Sequence, residues 1–191
     1  LLDRKKPAAK LDIERIAAMG VDFVQFWASS CSPENIAALK KHDIRIAIEG
    51  SGWGQIISTW TGVPKDVYPF ETNTAERAKA EKILAEKNLL AMWYTADEPG
   101  FDVIPGVKRL RDYWAKIDPE DHPSYVVGTG DPRLAAGGDV FGLDIYARYY
   151  GSKRPLTLVS DAMYRAHAFN RRGQCVIAVP QAFGSKEVHG E

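Results

Sequence analysis

Short runs of unbroken apolar residues alternate with longer stretches in which apolar positions return at helical spacing, and this alternation predicts strands separated by helices. Leu11, Ile13, Ile16, Ala17 and Met19 mark a first helix closing at Gly20, and Val21 to Trp27 follows as a β-branched and aromatic strand. Ser32, Pro33 and Glu34 have the order of an N-cap, a first-turn proline and an early acid, opening a helix that turns Ile36 and Leu39 inward. Ile44 to Glu49 is the next strand. A helix over about 73–87 precedes the strand Leu89 to Ala96. Pro105 then opens a helix with Val107, Leu110, Trp114 and Ile117 on one face, stopped at Asp118-Pro119. Tyr125 to Thr129 and Val140 to Tyr146 are strands joined by a link too short for a full helix, which leaves room for a single turn or a 3₁₀ segment. A last helix over about 156–171 leads into the strand Cys175 to Gln181.

Strands that are apolar throughout, separated by helices, belong to a parallel sheet covered by helices. Such strands also build doubly wound open sheets. No strand here is followed by a glycine-rich phosphate turn, however, and polar or aromatic residues end nearly every one: Trp27, Glu49, Asp97, Glu98, Thr129, Asp144, Tyr146 and Gln181. In a barrel those ends converge on one face, where active sites are built. The expected fold class is therefore α/β, a parallel (β/α) barrel of TIM type, as a single domain over residues 1–191.

Composition narrows the partners. Lys plus Arg number 25 and Asp plus Glu number 25, so no net field draws the chain to nucleic acid or an anionic membrane. No apolar run is long enough to cross a bilayer, and the expectation is no nucleic-acid and no membrane partner. Two cysteines form no metal-ligand spacing. Cys31 falls beyond one strand's end and Cys175 at another's start, on opposite faces of a barrel, so both read as free thiols. No metal and no cofactor is expected. Residues 50–71 form a long irregular stretch rich in Gly and Pro that carries Trp53, Trp60, Tyr68 and Phe70, and loops of that kind are often functional.

The strand tip Met92-Trp93-Tyr94-Thr95-Ala96-Asp97-Glu98-Pro99 delivers adjacent carboxylates over an apolar and aromatic floor. Side chains alternate along a strand, so Asp97 and Glu98 face one axis together only if the strand breaks there. Pro99 is expected to hold Glu98 extended. In such surroundings the Glu98 carboxyl is expected to titrate high enough to donate a proton near neutral pH.

This segment resembles the strand-four ending of the large clan of (β/α)₈ glycoside hydrolases, whose Asn-Glu-Pro motif carries the acid/base glutamate. The resemblance implies an incomplete barrel, strands two to seven of eight, with Glu98 as catalytic acid. Leu143-Asp144-Ile145-Tyr146 resembles the clan's sixth strand and Val179-Pro180-Gln181-Ala182-Phe183 its seventh. Asp97 stands where the clan has the asparagine that binds the sugar 2-hydroxyl, and Gln181, a neutral amide, stands where it has the nucleophile. The second carboxylate is then Asp144, Glu49, Glu187 or a group outside these residues. Trp27, Trp53, Trp60, Trp93 and Tyr146 have the ring faces to stack on sugars, Trp27, Trp53 and Tyr146 being taken as the substrate-site candidates, with Asp97, Glu49 and Gln181 as further substrate contacts.

The resemblance implies hydrolysis of O-glycosidic bonds in an oligo- or polysaccharide, and a secreted or periplasmic location. Two other readings stay open. Gln181 suits a carbohydrate-binding pseudoenzyme, and Glu49, Asp97 or Glu98, and Asp144 suit a divalent-metal lyase or isomerase. An incomplete barrel leaves open strand edges, so the remainder of a longer chain or a second copy is expected to complete it. The start at Leu1 rather than a methionine fits the same expectation.

Overall fold

The computed structural model describes residues 12–27, 30–49, 74–129, 131–145, 148–149, 152–153, 155, 157–169 and 173–179. In chain order the elements are α1 (Ile13–Ala18), β1 (Phe23–Trp27), α2 (Pro33–Lys41), β2 (Arg45–Glu49), α3 (Thr74–Leu84), β3 (Leu90–Asp97) and α4 (Ile104–Ile117). Then come β4 (Ser124–Gly128), β5 (Val140–Asp144), the short pair β6 (Arg148–Tyr149) and β7 (Ser152–Lys153), α5 (Thr157–Phe169) and β8 (Cys175–Val179).

Local chemistry sets the helix starts. The Asp12 carboxylate accepts from the Arg15 amide, and the Ser32 hydroxyl accepts from the Asn35 amide ahead of Pro33, satisfying donors that each first turn would leave unpaired. Ile36 and Leu39 are buried, as their spacing requires. The expected 3₁₀ segment between β4 and β5 is present over Pro132–Gly137. The antiparallel pair β6–β7 was not foreseen; the expected strand through Tyr146 ends instead at Asp144.

Six parallel strands run in the order β1-β2-β3-β4-β5-β8, each paired with its neighbour in sequence apart from the inserted hairpin, and they curl into a half-barrel. This is the incomplete α/β barrel expected from the strand pattern. The helix-facing side is the larger core: Ile46, Ile48, Leu90, Trp93, Ala96 and Val126 pack with Leu39, Ile83, Val107, Leu110 and Trp114. A second cluster covers β5 with α5, joining Phe141 and Leu143 to Ala162 and Ala166. Among the described residues, the concave side has a cluster of strand residues: Ala47, Tyr94, Tyr125, Val127 and Val140, with Met92 and Ile177 packed against them.

At the N-terminal end of the sheet, Trp93 stacks on Trp114 with ring centroids 4.3 Å apart, and its indole N–H donates to the buried Asp118 carboxylate at 2.8 Å. Such a stacked pair adds roughly 0.5–1.5 kcal/mol beyond its buried area. Asp118 also accepts from the amides of Glu120 and His122, closing the turn into β4. In this class of fold, that end carries stability while the opposite end carries chemistry. No described helix is long and apolar enough to cross a membrane.

Candidate functional site

The C-terminal end of the sheet is shaped by two irregularities in β3. Its register against β2 passes from Ile46↔Leu90 to Ala47↔Met92, and its register against β4 from Tyr94↔Tyr125 to Ala96↔Val126. Ala91 and Thr95 are therefore extra residues, and each inverts the in–out alternation that follows it. Met92 and Tyr94 lie in the concave cluster, whereas Ala96 lies with Val126 in the helix-facing core. Asp97 pairs with Val127, a concave-face residue, and so takes the concave side. Regular alternation from Tyr94 would have turned it toward the helices. Thr95 is fully buried at the slip, and its hydroxyl donates to the Tyr125 carbonyl at 2.9 Å.

Beyond Asp97 the strand breaks. The Glu98 amide still donates to the Val127 carbonyl at 2.9 Å, but Glu98 itself has φ 43°. The extended conformation expected from Pro99 is thus not adopted: the pre-proline preference yields to a turn whose amide is already tied to β4. A non-glycine residue held there carries strain of roughly 1–3 kcal/mol, a feature that clusters at functional sites. Pro99 is buried and Glu98 is exposed.

Glu98 feels two other carboxylates across this end. The Glu98 carboxyl is pushed above the ordinary glutamate range, first by the protein around it and then by the charges of Asp97 and Asp144. Asp144 is the half-buried last residue of β5, on the concave side by alternation from Val140. One layer deeper, the Tyr125 phenol is buried and its pKa is raised, chiefly by that burial and further by Asp144 and Asp97. Its ring meets Tyr94 at a centroid distance of 5.1 Å and lies over Gly142, where no side chain intervenes. Tyr125 was not among the sequence candidates; a tyrosine within an apolar strand carries no signal that separates it from ordinary core.

The loops after β3 and β4 are clasped together at the rim. The Arg133 guanidinium lies 4.0 Å above the Phe101 ring and is paired to Asp131, whose carboxylate also accepts from the Arg133 amide. The contact joins the segment that follows Glu98 to the one that follows β4.

Of the sequence candidates, Asp97, Glu98 and Asp144 are brought to one end of the sheet. Trp27 and Glu49 are the last residues of β1 and β2 and are backbone partners, with side chains outside the described set. Trp53, Tyr146 and Gln181, together with the aromatic loop at 50–71, lie outside the described residues. Among the described residues, no group of three or more His, Cys, Asp or Glu side chains is placed to hold a metal ion. Both cysteines are free thiols, and burial raises that of Cys31 to about 11.

A parallel sheet curled with helices on its convex side, and acids gathered at its C-terminal end, defines part of a (β/α)₈ barrel. Among solved structures, the chain is similar to a β-glucuronidase from Ruminococcus gnavus in complex with D-glucuronic acid, with TM-score 0.57 and 17% identity, over 87% of this chain and 29% of that one. Another structure of Ruminococcus gnavus β-glucuronidase matches with TM-score 0.56 and 16% identity, over 93% of this chain and 34% of that one. The chain spans about a third of the length of those structures and has a glycoside hydrolase-like fold. No protein-family model and no curated protein matches it.

Proposed function

We propose that residues 1–191 are one unit of a longer (β/α)₈ glycoside hydrolase that cleaves O-glycosidic bonds of an oligo- or polysaccharide, with Glu98 as proton donor. The observation that carries this reading is the Glu98 carboxyl at the C-terminal end of the sheet, its pKa raised by its surroundings and by Asp97 and Asp144. An acid must hold its proton at working pH and release it as the leaving oxygen gains charge, and two neighbouring carboxylates favour the protonated form.

Asp144 is the second carboxylate. On β5, one strand beyond β4, it supplies negative charge across the site from Glu98, either activating water or attacking the sugar carbon. Pairs separated by about 5 to 5.5 Å act by retention and pairs separated by about 6.5 to 9.5 Å by inversion. Asp97, on the concave face, holds a sugar hydroxyl. Trp27, Glu49, Trp53, Tyr146 and Gln181 complete the substrate contacts.

The test is a glycan-library hydrolysis screen on the full-length protein, comparing wild type with Glu98→Gln and following product with and without EDTA. Turnover abolished by the substitution and indifferent to chelator supports the assignment. Turnover that survives Glu98→Gln removes Glu98 from the reaction, and chelator-sensitive turnover replaces this reading with a metal-dependent one.

A further inference from the structure

We propose that Thr95 is a positioning residue for this site: its hydroxyl, bonded to the Tyr125 carbonyl, holds the bulge that turns Asp97 to the concave face beside Glu98. The inference rests on the hydrolase reading for what the carboxylates do, but its structural content stands apart from it.

The argument begins from parity. Strand side chains alternate, so one inserted residue moves everything after it to the other face. Between Ala91 and Thr95 the concave positions of β3 are the even ones, Met92 and Tyr94; after Thr95 they are odd, because Ala96 joins the helix-facing core and Asp97 pairs with the concave residue Val127. Removing the bulge, with pairing to β4 otherwise kept, would put Ala96 on the concave side and turn the Asp97 carboxylate toward the helix-facing core.

Thr95 is the group placed to hold that slip. It is the extra residue, it is fully buried, and its hydroxyl donates to the carbonyl of Tyr125 at 2.9 Å, at the point where the register changes. A bulge leaves a residue out of ladder register, and a buried hydroxyl without a partner is unfavourable. Bonding to β4 answers both. Valine, of the same shape, keeps the packing and removes the side-chain bond from β3 to the Tyr125 carbonyl. Serine keeps the donor and loses only a methyl group. Tyr125 links the slip to the chemistry, since the residue whose carbonyl anchors the bulge has a phenol that feels the charges of both Asp144 and Asp97.

The experiment is a titration of the Glu98 carboxyl in the full-length protein, labelled with carboxyl-¹³C glutamate and assigned by the resonance lost in Glu98→Gln. It compares wild type, Thr95→Val, Thr95→Ser and Asp97→Asn, with kcat and KM for hydrolysis measured alongside. Thr95→Val is expected to lower the Glu98 midpoint by about half a pH unit or more, because the Asp97 charge moves away. Thr95→Ser is expected to titrate as wild type. In the Asp97→Asn background, Thr95→Val is expected to add nothing further. If the saccharide assay reports turnover, Thr95→Val lowers kcat on the order of 10²-fold with KM little changed, and serine restores it.

A Thr95→Val protein whose Glu98 titrates as wild type overturns the proposal, as does a shift that persists undiminished in the Asp97→Asn background. Should Thr95→Val fail to fold, Thr95→Ala against Thr95→Ser gives the same comparison. The two readings fail separately. A titration that responds to Thr95 in a protein without hydrolase activity removes the function and keeps the positioning role; loss of turnover in Glu98→Gln with a silent Thr95→Val does the reverse.

Discussion

Tyr125 lies across Gly142 so closely that a methyl group added at position 142 would stand 2.5 Å from its hydroxyl oxygen. The glycine leaves the space on β5 that the phenol of β4 fills, and the phenol in turn roofs the concave cluster beneath Asp97 and Asp144. Gly142→Ala must therefore push back a buried ring that is also packed on Tyr94. The expected cost is roughly 1–3 kcal/mol, seen as a lower urea midpoint at unchanged slope. Any saccharide turnover the screen reports should fall with it, since the Tyr125 phenol feels the charges of both acids. A variant with a wild-type midpoint means that the ring is free to move, and that it does not set the site's floor.

The pH behaviour follows from the neighbours of Glu98. Its folded-state pKa is raised, so the folded protein binds this proton more tightly than the unfolded chain does. The contribution to stability is complete below the ordinary glutamate range and is lost as pH rises through the folded pKa. For a general acid, the same ionisation sets the alkaline limb of kcat/KM. Asp97→Asn and Asp144→Asn each remove a charge that raises the Glu98 pKa, so both should move that limb to lower pH, Asp97→Asn further. A limb that stays in place in both variants assigns it to another group.

The strands and their order were legible because an apolar run with no alternation fits only a strand buried on both faces, and six such runs separated by helices leave few arrangements. The face of α4 was equally plain: Val107, Leu110 and Trp114 recur at helical spacing and are all buried. The strand ends also pointed to where Asp97, Glu98 and Asp144 would gather. What escaped, besides the β6–β7 hairpin, was register. One extra residue at Thr95 leaves no mark in composition, yet it decides which way Asp97 faces. The rule that a residue before proline is extended failed at Glu98 because it is a local preference, and here the amide is already committed to Val127.

At the other end of the sheet, Asp118 is a stability group. Burial alone would raise its pKa, but the hydrogen bonds from Trp93, from His122 and from the backbone outweigh burial and hold the carboxyl below its ordinary range. With a depressed pKa, its contribution is present above the ordinary aspartate range and is lost as pH falls through the folded pKa. Asp118→Ala strands a buried indole N–H and two turn amides, and should cost roughly 2–4 kcal/mol. Denaturant unfolding followed by tryptophan fluorescence checks this, since the stacked Trp93–Trp114 pair reports on the same spot. A loss below about 0.5 kcal/mol would mean that water replaces the carboxylate.

Sheet edges supply the last prediction. Among the described residues β1 and β8 are the outer strands: Phe23 and Gln25 on β1 and Cys175 and Ala178 on β8 are exposed, whereas every residue of β4 is buried. An open parallel edge presents unpaired backbone groups and half-covered apolar side chains, which invite another strand. Residues 1–191 produced alone should therefore self-associate, or unfold at low denaturant, while a longer chain that supplies the neighbouring strands should be monodisperse and more stable. Sedimentation equilibrium on both lengths separates the cases. A stable, monodisperse monomer of the short form would mean that these edges are already protected, and that neither a second copy nor the rest of a barrel is needed to cover them.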